Sequence, residues 1–339
     1  MKLIKLVKPI VGGILFLFSA SSFAKTGWCT PENGTMDYSF VFDKTYTDPL
    51  QNKTGTLYKR TAPWDLGTSY YASCDCTASN VTFFKTTVPG LTASRSLNGL
   101  NFYTLNKYLE VATELWIEGS AQDYFATPFA SVSNYYSGSC ARGAYRTGSK
   151  GYVSLYIANP FVGQLVIPKT KILDLFGSKT NNSFGGIPMS SVYMSGTVTV
   201  LQSCDINAGQ VINIDFGNLN AKDIKTKGEN AAGFIPRIVN MTVACNNISD
   251  GVKISLSISG DAASGDPSAL ATNNDDIGVR ILDAGGNAVS PNDGRLPVAF
   301  DYAAQTGTSS MSLAPMNVTG NAPSSGEFTA IATIRAEIQ

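Results

Sequence analysis

Between Asp123 and Lys150 the chain gathers planar polar side chains and phenol rings. Asp123, Asn134, Arg142 and Arg146 are hydrogen-bonding groups, and Tyr124, Tyr135, Tyr136 and Tyr145 offer flat faces. Together they have the chemistry of saccharide recognition. A carboxylate, amide or guanidinium grips vicinal hydroxyls while a ring covers the C–H patch of the sugar. Each residue also has a plainer role open to it. Tyr135 and Tyr136 fit ordinary loop aromatics, Asp123 fits a turn cap, and Trp116 fits a core position or a cross-strand partner. Trp64, between Pro63 and Asp65, fits a loop platform.

Catalysis finds less support. The chain has no His, which excludes a Ser-His-Asp triad. Glu114 and Glu118 would lie ~13 Å apart on a strand, beyond either usual glycosidase spacing. Without His or a Cys-x-x-Cys pair, no metal site is expected, and no cofactor either. The chain reads as a non-enzyme.

The six cysteines are Cys29, Cys74, Cys76, Cys140, Cys204 and Cys245. An even number in an exported chain favours disulfides. Cys74 and Cys76 sit two apart and do not meet the geometry for a bond to each other. One should reach Cys29 and the other Cys140. We take Cys29–Cys74 and Cys76–Cys140, with the crossed pairing left open. Cys204 and Cys245 lie on the apolar faces of their strands. A Cys204–Cys245 bridge would close a loop of about 40 residues and contribute ~4 kcal/mol through the unfolded state.

These residues need a scaffold, and the elements follow from the pattern. Lys2, Lys5 and Lys8, a short apolar run from Pro9 to Phe18, and Ser22-Phe23-Ala24 form a secretory signal over residues 1–24. The run is too short to span a bilayer, so no membrane span is expected. The full chain balances 25 basic against 25 acidic residues, and losing three lysines leaves a slight acidic excess. That charge argues against nucleic acid as a partner. The first half carries all three Trp, whereas the second has none. Four cysteines precede residue 141 and two follow residue 203. With a Ser-, Asn- and Gly-rich stretch from Ser178 to Ser191, this places a domain boundary near Ser195, giving domains 25–195 and 196–339.

Both halves read as β. Met36, Tyr38, Phe40 and Phe42 alternate with polar residues, as do Leu109, Val111, Leu115 and Ile117, and Val153, Leu155 and Ile157. In the second half Val198 and Val200, Val239, Met241 and Val243, and Val252 to Ile258 do the same. Asp283 to Asn287 reads as a turn. Lys169 to Phe176 is a helix candidate stopped by Gly177. Many short strands separated by turns imply an all-β chain of two β-sandwich domains. Phe328, Ala330, Ala332, Ile334, Ala336 and Ile338 alternate to the last residues, and no later residue follows to cover that strand's free edge. An unpaired edge must be paired by something else.

The second half resembles a chaperone–usher pilin domain. The resemblance rests on Ser195-Gly196-Thr197-Val198, on Ser203-Cys204-Asp205-Ile206-Asn207, and on Ile214-Asp215-Phe216-Gly217. It continues through Val243-Ala244-Cys245, Asp276-Ile277-Gly278-Val279 and Gly326-Glu327-Phe328-Thr329-Ala330. It implies immunoglobulin-like topology lacking the last strand. A periplasmic pilus chaperone lends a strand first, and the next pilus subunit then replaces it at the outer-membrane usher. Physically this is β-augmentation. The mature start runs into Trp28-Cys29 with no free alternating arm, which implies a place at the fibre end.

The first half resembles the receptor-binding domain of a fimbrial tip adhesin, most closely the N-acetylglucosamine-binding lectin type. The stretches are Leu105 to Leu109, Pro128 to Asn134, and Gly151 to Gly163. That lectin type carries a Trp before the cysteine matching Cys140 and a Gly-Ser-Gln after it. Here Ser139 holds the first place and Gly148-Ser149-Lys150 the second. The expected sugar site is therefore Asp123, Tyr124, Asn134, Tyr135, Arg142, Gly148, Ser149 and Lys150. The expected partner is a host glycan receptor, met at the fimbrial tip on the bacterial surface. A host protein surface, or no receptor at all, are the competing readings.

Overall fold

The computed structural model describes residues 24–135, 140 and 142–339. Residues 1–23 of the expected signal segment 1–24, and Tyr136 and Ser139, lie outside these residues. Among the described residues the regular elements are strands, apart from three short 3-10 turns. Alternating apolar residues build two facing sheets in the first half. One has eight strands, with Gly163–Ser178 pairing to Val81–Thr87, Trp28–Pro31 and Ser190–Val200. The other has six, among them Leu57–Asp65, Leu109–Ile117, Asp123–Ala126 and Lys150–Ile157. Tyr38, Phe84, Leu115, Leu155 and Val192 fill the space between the sheets. This burial is the main stabilising term.

The helix expected over Lys169 to Phe176 is instead part of the Gly163–Ser178 strand. Ile172, Leu173, Asp174 and Leu175 are all buried in succession. Register shifts near Thr170 and Leu173 accompany that run. A strand covered on both faces reads as a continuous apolar run, which periodicity cannot tell from a buried helix.

The boundary expected at Ser195 falls inside a strand. Ser190–Val200 pairs in parallel with Met36–Tyr46 along its whole length. At Gly196 the two backbones approach so closely that a Cβ would lie 1.9 Å from the Phe42 carbonyl oxygen, and the backbone holds φ +147°. Only glycine fits. The Ser-, Asn- and Gly-rich stretch is the loop joining Gly163–Ser178 to Ser190–Val200, so its composition marks a hairpin connection rather than a linker. The change of sheets comes at Leu201 and Gln202, before the strand Ser203–Ile206.

The second half packs a seven-stranded sheet on a three-stranded one. Met241, Leu256, Ile258, Ile281 and Leu313 form its core. In the small sheet Ile254–Gly260 pairs with Arg295–Pro297 on one side and Ala332–Ile338 on the other. Asn247 joins the two halves. Its side-chain amide donates to the Tyr46 carbonyl at 2.9 Å and the Leu201 carbonyl at 2.8 Å. The Ser249 hydroxyl donates to the Pro49 carbonyl at 3.0 Å.

Candidate functional site

The last strand begins at Ala332, not at Phe328. Its apolar side is level with buried partners: Ile334 lies opposite Ile258, Ala336 opposite Leu256, and Ile338 opposite Ile254. Yet Ile334, Ala336 and Ile338 are only half-buried, and Ala330 and Ala332 are exposed. Ile331, just before the strand, is 89% exposed.

A second wall stands opposite this strand. Ile212, Ile214 and Phe216 alternate with exposed Val211, Asn213 and Asp215 in an extended segment. Among the described residues, no backbone group of 211–216 bonds to another backbone group. The sequence reading left Ile212, Ile214 and Phe216 out of the groove, though the alternation Ile-Asn-Ile-Asp-Phe was visible. Between this segment and the last strand runs a groove of about 900 Å³, floored by Ile258, Leu270, Val279, Ile281, Met311 and Leu313. Two rows of backbone groups without backbone partners, the Asp215 carbonyl alone accepting from the Arg237 side chain, stand above an apolar floor, as an added strand needs. At one end Phe328 stacks on Phe216, and Phe234 meets Phe216 edge-on.

The three disulfides hold both halves. Cys29 bonds Cys74, Cys76 bonds Cys140, and Cys204 bonds Cys245. Asp75, between the first two bridges, accepts from the Thr26 backbone N–H and pairs with Lys25 at 2.9 Å. These contacts hold its carboxyl down to about 2.

The residues expected to bind a sugar do not form one pocket. Strand register brings Tyr135, Asp123 and Lys150 to the end of the first half remote from Leu201. The Ser190–Val200 strand spans ~35 Å between the two ends. Asn134 is buried, and its amide oxygen accepts from the Ser120 N–H at 3.1 Å, so it clasps a loop. Tyr135 stands 56% exposed. Arg142 pairs with Glu32 at 2.9 Å, which raises its pKa, and lies 3.4 Å over the Tyr71 ring. Gly148 and Ser149 turn inward. Trp64 donates to the Gly148 carbonyl at 3.0 Å, and Ser149 is 3% exposed. Neither faces a surface ligand. Trp64 itself is core, stacked on Phe40, not a loop platform.

Tyr124 and Lys150 belong to a different group, on the outward face of the six-stranded sheet, whereas Asp123 lies opposite Ile117 in the alternate register and its carboxylate accepts from the Tyr124 N–H at 2.7 Å. Trp116 pairs with Tyr124 across strands, their rings 4.8 Å apart. Lys150 lies over Trp116 and pairs with Asp65 at 3.4 Å. Arg60 and Tyr152 complete the group, and the sequence reading missed both. The signal was Glu114. A carboxylate at a buried position of an alternating strand demands a cation. Arg60 supplies it through two bonds of 3.0 and 2.8 Å, and the Glu114 hydrogen bond raises the Arg60 pKa.

Comparison with known proteins gives a consistent picture. The family model described as Fimbrial protein matches residues 192–339. "Protein LpfD" of Salmonella typhimurium is 37% identical, covering 100% of this chain and 99% of that protein. "Probable minor fimbrial subunit LpfD" of Escherichia coli O157:H7 is 33% identical, covering 96% and 97%. The "Type 1 fimbrin D-mannose specific adhesin" of Salmonella typhimurium is 28% identical, covering 56% and 57%.

Proposed function

The chain belongs to the fimbrial protein family, and from that premise we propose that it is a tip adhesin of a chaperone–usher pilus. Its second domain, residues 203–339, accepts a donor strand in the groove between residues 211–216 and Ala332–Ile338. The donor comes first from a periplasmic chaperone and then, at the outer-membrane usher, from the next subunit. The groove carries this reading, because its floor is core-forming and both of its walls have free backbone groups. A strand laid there gains ladder hydrogen bonds and buries alternate side chains.

The first domain, residues 25–200, is the receptor-binding part and presents the end remote from Leu201 to a host-surface glycan. The mannose-specific name of one relative supports a sugar as the receptor class. The strand Trp28–Pro31 is held between Gly163–Ser178 and Tyr70–Cys74, so it is not free to serve as a donor. That supports a place at the fibre tip.

The test is strand complementation. Full-length protein made without its chaperone should aggregate or be degraded. An alternating apolar donor peptide fused after Gln339 should give a soluble monomer with a cooperative unfolding transition. Equal solubility and cooperativity without the donor would overturn the acceptor-groove reading.

A further inference from the structure

Arg60 is held in a way that an exposed arginine on a strand rarely is. It has φ +51°, in the left-handed region that side-chain-bearing residues avoid. It lies in the strand Leu57–Asp65 where pairing with Lys150–Ile157 shifts register, and its N–H donates to the Ser154 hydroxyl at 2.9 Å. Such a bulge re-aims a side chain, and backbone outliers of this kind gather at ligand sites.

The side chain is directed onto the outward face of the sheet. Two of its nitrogens are bonded to Glu114, and its guanidinium carbon is 5.1 Å from the Tyr124 ring and 5.1 Å from the Tyr152 ring. The Glu114 side chain is 8% exposed and that of Arg60 42%. Nη1 of Arg60 has no hydrogen-bond acceptor among the described residues. The neighbouring pair makes the contrast. Arg95 bonds Glu110 through Nε and Nη2 and spends Nη1 on the Tyr156 hydroxyl. One guanidinium is closed off by protein groups, and the other keeps donors for something else.

We propose that Arg60, Trp116, Tyr124 and Tyr152, with Asp65 and Lys150 at the rim, form a shelf that binds the pyranose ring of a neutral saccharide. This rests on the glycan reading above and gives it a place: the outward sheet face near the end remote from Leu201. The half-buried rings of Trp116, Tyr124 and Tyr152 suit a patch of sugar C–H groups. The Arg60 Nη1 donors and the Lys150–Asp65 pair set donors and acceptors side by side, as adjacent hydroxyls require. The charges choose among sugars. Arg60 and Lys150 are matched one for one by Glu114 and Asp65. An anionic sugar finds no surplus cation here.

The test uses piliated cells carrying the full chain, with an isogenic strain lacking it as background. Binding is measured to immobilised mannose, galactose, N-acetylglucosamine and N-acetylneuraminic acid, with surface display checked by antibody. One neutral sugar should bind. Trp116→Ala and Tyr124→Ser should each weaken it at least tenfold, and Val166→Ala, at an exposed position outside the shelf, should stay within twofold. If Trp116→Ala is not displayed, the exposed rim variants Lys150→Met and Asp65→Asn should still weaken binding. Undiminished binding by displayed shelf variants would overturn the shelf and leave the glycan reading intact. Binding of N-acetylneuraminic acid alone would overturn the choice of a neutral sugar. No binding to any sugar would overturn both.

Discussion

Phe216 and Phe328 stack across one end of the groove, ring centroids 6.2 Å apart and planes 11° apart. They come from opposite walls, so the contact ties the unpaired segment 211–216 to the residues that lead into the last strand. Phe234 backs Phe216 at 5.9 Å. The groove is closed at this end by side chains rather than by backbone pairing.

Phe328→Ala should therefore cost about 1–2 kcal/mol in the strand-completed protein, less than a fully buried Phe because the ring is half-buried. Phe216→Ala should cost a similar amount. The double variant should fall short of the sum by about 0.5–1.5 kcal/mol, since each single change already removes the ring pair. Urea midpoints at constant m-value measure the cycle. Strict additivity would show that the stack carries no energy.

Arg60→Met should destabilise the first domain by about 1–3 kcal/mol, because it leaves the Glu114 carboxylate without its counter-charge. The lower part of that range follows from the solvent exposure of the arginine. Arg60→Met combined with Glu114→Leu should recover most of the loss, because no buried charge then remains. Thermal unfolding of the three variants decides the point. A double variant as unstable as Arg60→Met would show that the ion pair is not the cause.

Asn247→Ala removes both amide bonds that bridge Tyr46 and Leu201. The expected cost is about 1–3 kcal/mol, mostly from carbonyls left without a donor. Limited proteolysis should then cut near Leu201 and Gln202, where the intact protein resists. An unchanged digestion pattern would mean that packing around Ile248 holds the junction without the amide.

Asp75 titrates low in the folded state, at about 2, because the Thr26 backbone N–H and then Lys25 favour its charged form. Its folded value lies below the ordinary carboxylate value, so its contribution is present above about pH 4 and fades as pH falls through 2. The Thr26 amide resonance should shift with a midpoint near pH 2, and Asp75→Asn should abolish that transition. A midpoint near 4 would show that the tether does not hold the charge.

Much of this was legible in the sequence, and the failures share a physical cause. Strands with one wet face, such as Met36–Tyr46, show their period directly. Gly163–Ser178 hides it, because neighbours cover both faces. The apolar alternation at the chain end marked the groove wall, but only coordinates bring the segment from Ile212 to Phe216 opposite it. For the first domain, residue types between Asp123 and Lys150 suggested saccharide chemistry. They did not reveal that Ser149 turns inward or that Arg60, far off in sequence, arrives through a bulge. Side-chain direction at a turn or a bulge is set by register, and register is a property of paired strands.

The strand that leads out of the first domain, Ser190–Val200, is paired along its length with Met36–Tyr46 and over most of it with Gly163–Ser178. Tension from the second domain enters it through only two residues, Leu201 and Gln202. Pulled along its axis, the strand loads its cross-strand bonds in shear, sharing the force among them rather than breaking them one by one from an end. The first domain is thus anchored by its most extensively bonded strand, and a mechanical pull meets the protein where it is hardest to unzip.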